Sequence, residues 1–318
     1  MFAANTFRRL AAITAGLVIL SSGSMLLGQK QKKPKTKAAP EGNPVLWRQP
    51  EDIASRDLFL GPGGAEMKPD LTKVTFISDE SRGYSKRYRV RDGSGREWVV
   101  KLGKEARPDT AASRLIWAVG YFTNVNYLVP SVEIQGKGTL QNAEFKARPK
   151  GVKRLGWWDW GDNPFVGSKE LQGLKVMMPL FNNWDLKPSN NTILRVGGKS
   201  SSTESQYIVS DVGATFGKTG NNITHNRDVP KDFARTKLVK GVRGNIVQFD
   251  FHATHADILR DVTVEQAKWI GQLLSQLSDQ QISDAFRAAN YSPEEIQLLT
   301  TALKARINEL VNLTGQAG

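Results

Sequence analysis

The stretch NNWDLKPSNNTIL, residues 182–194, gathers an acid, a lysine and several asparagines into one short segment. Asp185, Lys187 and Asn190 stand close together in it, with Pro188 between them and an apolar run after. Turning the chain needs only residues such as glycine and serine, so the segment is either an acid-capped turn or a site. Two other constellations could carry chemistry. HATH, residues 252–255, puts two histidines three apart, able to face one way on a helix; with no third ligand nearby, a structural role is favoured over a metal site. RLGWWDWGDNPF carries Trp157, Trp158 and Trp160, which could stack on a sugar or a peptide but more often pack a core. The absence of cysteine removes disulfides, zinc–thiolate sites and lipid-modified cysteines.

From about Trp47 the pattern is globular. LTKVTFISDE and SKRYRVRD predict strands, DGSG a hairpin turn, and REWVVKLG a third strand with Trp98, Val99 and Val100. RPDTAASRLIWAVGY predicts a helix, with Pro108 in its first turn and Ala111, Ala112, Leu115, Ile116 and Val119 along one face. YLVPSVEIQG and AEFKARPKG read as further strands. SKELQGLKVMMPLF then spaces Leu171, Leu174, Met178 and Phe181 as a helix does and leads directly into the Asp185 segment. YIVSDVG is a short apolar strand ending at Asp211 and Gly213. Three capping boxes, Thr263 with Gln266, Ser278 with Gln281 and Ser292 with Glu295, predict a helical C-terminus. The outline is α+β: a strand-rich lobe with one helix, then a larger helical lobe.

DLKPSN at 185–190 resembles the catalytic loop of protein kinases, in which Asp, Lys two on and Asn five on are presented by one turn. SDVGATFG at 210–217 resembles their D-F-G segment, with Val212 in place of phenylalanine, and WVVK at 98–101 resembles V-A-I-K. The three occur in the family's order, each on the predicted element. The resemblance covers about residues 72–217. It implies a bilobal kinase-like fold, with an N-lobe over 47–150 and a C-lobe over 151–318. It further implies ATP and Mg²⁺ between the lobes, with Asp185 as base, Lys187 beside the transferred phosphate, Asn190 and Asp211 on the metal, and Lys101 on the α- and β-phosphates. The acid paired with Lys101 is Asp109, by similarity to the helix of the HipA-type kinases, with Glu105 as the alternative. Asn191 is the alternative to Asn190. The usual glycine-rich loop is missing and only Gly83 in SRGY stands in its place; Asn183-Trp184 replaces His-Arg, and no A-P-E follows. These departures are those of an atypical kinase, similar to the HipA-type, lipid-kinase-like and secretory-pathway kinases.

The chain has 318 residues, 39% hydrophobic and 24% charged, enough for a sizeable core. Seven of its 44 basic residues (Arg8, Arg9, Lys30, Lys32, Lys33, Lys35, Lys37) lie in residues 1–40, which hold no acid; without them the net +13 falls to +6. With no basic stripe among aromatics in the remainder, nucleic-acid binding is not expected. MFAANTFRR followed by an uncharged apolar run makes residues 1–28 an export signal or a membrane anchor, and 29–46 reads as a lysine- and proline-rich disordered tether. The expectation is an exported or membrane-anchored, ATP- and Mg²⁺-dependent kinase of a bacterial envelope, acting on a protein, lipid or sugar acceptor. The alternatives are an inactive kinase-like binding module and an envelope glycan- or peptide-binding protein.

Overall fold

The computed structural model describes residues 42–80, 85–197, 203–221 and 223–315. The segment expected to be a signal or anchor, most of the expected tether, and Gly83 lie outside these. Among the described residues no helix is long and apolar enough to cross a membrane. Asn43–Val45, within the stretch read as tether, is strand β1.

Strands β2 (Thr75–Asp79), β3 (Arg87–Arg91), β4 (Glu97–Lys101), β5 (Asn126–Ile134) and β6 (Gly138–Ala147) form an antiparallel sheet in the order β2-β3-β4-β6-β5. Its edges return to each other: Phe76 N donates to Gln135 O and Gln135 N to Val74 O. Period-two alternation divides the sheet into two unlike faces. Tyr88, Val90, Trp98, Val100, Phe145 and Ala147 pack one of them into a compact apolar core. Strand register puts Arg87, Arg89, Val99, Lys101, Glu144 and Lys146 together on the other. The DGSG hairpin is held from inside by Asp92, whose carboxylate accepts from Arg96 N at 2.9 Å and from the buried Trp98 Nε1 at 2.8 Å.

Helix α1 (Ala106–Ala118) lies between β4 and β5, and its apolar face (Ala111, Ala112, Leu115, Ile116) belongs to the larger core of the second lobe. Leu46, Ile53 and Leu58, from the segment before β2, join the same core. The second lobe contains β7 (Lys153–Gly156), α2 (Lys169–Leu180), β8 (Asn191–Val196), β9 (Glu204–Val209), α3 (Pro230–Arg235), the hairpin β10 (Val239–Arg243) and β11 (Ile246–Phe249), and helices α4 (Val264–Leu274), α5 (Asp279–Arg287) and α6 (Pro293–Val311). Strands β1, β9, β8 and β7 make one sheet in that order, with β1 parallel to β9. All three capping boxes form with both reciprocal bonds, at the starts of α4, α5 and α6.

The end of α2 aims the Asp185 segment. Its last carbonyls lack intrahelical partners, and Arg306 of α6, buried, donates to Pro179 O at 3.1 Å, Leu180 O at 2.9 Å and Asn182 Oδ1 at 3.2 Å. Asn182 takes the left-handed conformation that ends the helix (φ 56°). Arg306→Met keeps the aliphatic stem and removes these donors. It is expected to cost about 2–4 kcal/mol in urea unfolding, because several buried carbonyls lose their partners at once. A loss under about 0.5 kcal/mol, no more than an ordinary surface change gives, would show that the helix end is satisfied without it.

Candidate active site

Lys101, the last residue of β4, is buried, and its ammonium is the hub of an acid cluster. Nζ lies 2.9 Å from Asp109 Oδ2, 2.8 Å from Asp211 Oδ1 and 3.1 Å from Glu105 Oε2. Burial alone would push this lysine down; Asp109, Asp211 and Glu144 together outweigh it and hold the ammonium well above its usual range. Both acids offered by the sequence therefore meet Lys101, in different settings. Asp109, one turn into α1, is fully buried and shared with Lys146 Nζ at 2.6 Å. Glu105, at the helix start, also accepts from Ser85 Oγ and pairs with Arg227.

Asp211 follows β9 with Val212 and Gly213. Burial would raise its carboxyl, but Lys101, Lys146 and Arg87 drive it far below the usual carboxylate range. Arg87 Nη2 reaches Asp211 Oδ2 at 2.9 Å. Gly213 passes so close to the cluster that a Cβ there would lie 2.7 Å from Glu105 Cβ and 3.0 Å from Lys101 Nζ. Only a residue without a side chain fits.

The Asp185 segment is tied to Asp211 through Asn190. Pro188–Asn190 is a single 3-10 turn. Asn190 Nδ2 donates to Asp185 O at 2.8 Å, and Asn190 O accepts from Ser210 N at 2.8 Å and Asp211 N at 3.2 Å. With its amide nitrogen committed, Asn190 has a side-chain oxygen that accepts no hydrogen bond from a described residue. Asn191 instead points into the core, buried, with Nδ2 on Trp158 O at 3.1 Å. Asp185 Oδ1 is 3.0 Å from Lys187 Nζ, and Asp185 forms a parallel bridge with Thr254. Beside them lies a cavity of about 140 Å³ lined by Trp184, Asp185, Lys187, Gly220, His225, Ala253 and Thr254. Trp184 is a packed wall of it: its ring lies 3.7 Å from that of His225, and the Arg227 guanidinium stands 4.6 Å from its centre.

The arrangement is protein-kinase-like. A strand-end lysine, a helix acid, a D-x-K-x-x-N turn and a D-x-G strand end converge in that chain order. The structure is similar to the Helicobacter pylori proinflammatory kinase CtkA, at 11% identity and TM-score 0.48, over 77% of this chain and 97% of that one. It is also similar to the Rio2 kinase of Chaetomium thermophilum, solved as an ADP/Mg²⁺–phosphoaspartate complex, at 11% identity and TM-score 0.32, over 74% and 72% of the two chains. A third likeness is to HipA of Shewanella oneidensis MR-1, solved with HipB and operator DNA, at 13% identity and TM-score 0.35, over 90% and 76%. At these values the likenesses concern the chain path alone. No family model matches the chain, and no curated protein matches it.

The kinase-like site contains residues the motifs did not point to: Lys146, Arg87, Glu144, Arg227 and Ser85. One signal for the first three was available. AEFKA and RYRVR alternate charged and apolar residues, which puts the charges on one face of a strand. Two of the three clustered tryptophans are core, and Trp157 is half-buried. Trp158 and Trp160 are buried and donate to Ile208 O and Leu186 O, so neither presents a free face to a glycan. His252 and His255 are both exposed and lie outside any helix. Among the described residues no three His, Cys, Asp or Glu side chains gather as a metal site. A Mg²⁺ site of the phosphate-bridging kind does not require three, because it uses one or two protein ligands with substrate phosphates and waters. Asp211 and Asn190, hydrogen-bonded neighbours, fit that donor set.

Glu144 gives the site a pH dependence. Burial, then the charge of Asp109, pushes its carboxyl up to about 7, against Lys146 and Lys101. Oε1 accepts from Asn126 Nδ2 at 2.7 Å, while Oε2 is buried with no hydrogen-bond partner among the described residues. The folded protein thus keeps this proton to higher pH than the unfolded chain, whose carboxyl titrates near 4.5. Stability therefore falls as pH rises from about 4.5 to about 7. Glu144→Gln is expected to remove that part of the slope, on the order of 1–3 kcal/mol. Asp228, pushed up to about 6 by burial, adds a like slope at lower pH, so the readout is the difference between variant and wild type in urea unfolding at pH 5 and pH 7.5. Parallel slopes would remove Glu144 as the source.

Proposed function

We propose that this protein is an ATP- and Mg²⁺-dependent phosphotransferase of atypical kinase type. The observation that carries the reading is Asn190: its side chain holds the backbone of Asp185 and its carbonyl holds the backbone of Asp211. One turn thereby sets a carboxylate beside an open cavity at a fixed offset from a second carboxylate that faces Lys101.

Bound ATP with Mg²⁺ supplies the transferable phosphoryl group and the charge that screens it. Asp211 and Asn190 Oδ1 would hold the cation. Lys101, kept charged by Asp109, Asp211 and Glu144, would bind phosphate oxygens. Lys146, which donates to the same Asp109 Oδ2 as Lys101, holds that acid in place. Asp185 takes the proton of an acceptor hydroxyl lodged in the cavity lined by Thr254 and His225, and Lys187 balances charge on the transferred group. The basic, uncharged-run pattern of residues 1–28 supports a place at the cell envelope, by export or by anchoring.

A kinase-like module that binds nucleotide without turnover is favoured by one observation. Arg87 adds a second cation to Asp211 and competes with a metal there. A thermal shift with ATP and Mg²⁺, read beside ADP formation, separates the two. The phosphotransferase reading expects both signals. Stabilisation without ADP over hours, with acceptors of several classes supplied, would favour the module.

A further inference from the structure

The face of the strand-rich sheet that looks toward the second lobe is rich in cations. Arg87 and Arg89 share that face with Val99, Lys101, Glu144 and Lys146. Arg148 continues it just past β6, where its backbone N–H donates to Glu97 O at 3.1 Å. From the facing lobe, Arg154 of β7 donates to Asn124 Oδ1 at 2.8 Å and to Thr192 Oγ1 at 3.2 Å. Both partners also touch the residue before Asp211: Asn124 Nδ2 donates to Ser210 O at 2.9 Å, and Thr192 Oγ1 lies 3.0 Å from Ser210 Oγ. Arg154 therefore belongs to the same cleft.

Most of the cations on this face are matched. Lys101 and Lys146 share Asp109, Arg87 has Asp211, and Arg89 Nε lies 3.1 Å from Glu80. Arg148 and Arg154 are not matched. Arg148 Nη1 donates only to the carbonyl of Ala147, and Arg154 bonds an amide and a hydroxyl; neither makes an ion pair with a described residue. Burial pushes Arg148 down to about 9, with Arg154, Arg89 and Arg87 adding to it and Glu80 opposing. Desolvation lowers Arg154 too, although the residue keeps an exposed surface on β7, with Glu80 opposing and Arg87 adding. Arginine remains charged at neutral pH, so the cleft keeps two guanidinium groups near other cations, with Glu80, already paired with Arg89, opposing at both and no carboxylate of a described residue in ion-pair contact with either. Such a pair is suited to the planar, two-oxygen recognition that guanidinium gives phosphate.

We propose that Arg148 and Arg154 form a second anion subsite of the cleft, for a phosphate group other than the one held at Lys101 and Asp211. The proposal rests on the phosphotransferase reading for the use of the cleft. It makes the ligand one with phosphate at two places: a nucleotide phosphorylated on its ribose, or a polyphosphate chain laid across the cleft.

The full chain is titrated in Mg²⁺-free buffer with AMP, adenosine 3′,5′-bisphosphate and inorganic tripolyphosphate. A gain of about tenfold or more over AMP is expected for the ligand that reaches the subsite, the size given by one or two charged hydrogen bonds. Gain by the bisphosphate identifies the ribose phosphate, and gain by tripolyphosphate identifies the chain. In both cases Arg148→Gln and Arg154→Gln are expected to abolish the gain, and Arg148→Lys to restore part of it. Melting temperature is read alongside; if Arg154→Gln melts early through loss of its Asn124 and Thr192 bonds, Arg148→Gln decides. No gain for either ligand, or a gain that survives Arg148→Gln, overturns the subsite. Lys101→Met keeps the two readings apart. Binding lost in Lys101→Met but untouched in the arginine variants removes the subsite and leaves the phosphotransferase standing. A gain lost in the arginine variants, with ATP binding that ignores Mg²⁺, keeps the subsite and removes the phosphotransferase.

Discussion

Asp185→Asn is expected to lower turnover by about 10²–10⁴-fold, roughly 3–5 kcal/mol of barrier, with nucleotide affinity held within a few-fold. The substitution keeps size and hydrogen-bonding shape and removes the ability to take a proton. The surroundings of Asp185 explain why the fold should tolerate it. Its main chain carries the architecture: the carbonyl accepts from Asn190 Nδ2, and the backbone bridges to Thr254. Its carboxylate meets Lys187, an exposed lysine, and lines the cavity. A partly exposed pair of this kind contributes about 0–1 kcal/mol, so the melt should barely move. A turn-capping role predicts the reverse, with stability down by about 0.5–2 kcal/mol and rate retained. A rate and a melt on one variant distinguish them.

Asp211→Asn is expected to weaken Mg²⁺-dependent ATP binding by roughly thirty- to several-thousand-fold, the range for removing one charge of a desolvated pair. It should also destabilise the free protein near neutral pH. A carboxylate held far below its usual range contributes stability that is present above about pH 4 and is lost as pH falls below that. The neutral amide cannot make that contribution, so Lys101 and Arg87 lose a counter-charge at once. Affinity is therefore compared at a temperature where both proteins are folded, by calorimetry with and without Mg²⁺. Unchanged Mg²⁺-ATP affinity in Asp211→Asn would remove this residue from the metal site.

What the sequence disclosed follows from where the physics is local. β2 to β5, α1, α2 and the three C-terminal helices fall close to where alternation, helical spacing and capping boxes place them, because those signals lie within each element. β6, by contrast, begins at Gly138, ahead of the AEFKARPKG stretch, and ends at Ala147. β1 and β7 were not legible: NPV and KRLG have no apolar alternation and are strands only through partners far along the chain, β9 and β8. In the site, Lys101, Asp185 and Asp211 were marked by spacing against a known pattern. The choice between Asn190 and Asn191 depends on Trp158, whose carbonyl draws Asn191 into the core, and no spacing rule reveals that. Asp109 and Glu105 could not be ranked in sequence because both reach the same ammonium. Lys146 and Arg87 join through strand register across the sheet, a long-range relation that the alternation of single strands only hints at.

The proposed function requires Asp211 and Asn190 to bind Mg²⁺ together with ATP. Calorimetric titration of ATP into the wild-type protein, once with Mg²⁺ and once with EDTA, tests it most directly. Saturable binding at least about tenfold tighter with Mg²⁺ is expected, the equivalent of one charge-assisted contact. Equal affinity in the two titrations, or no binding in either, would contradict it.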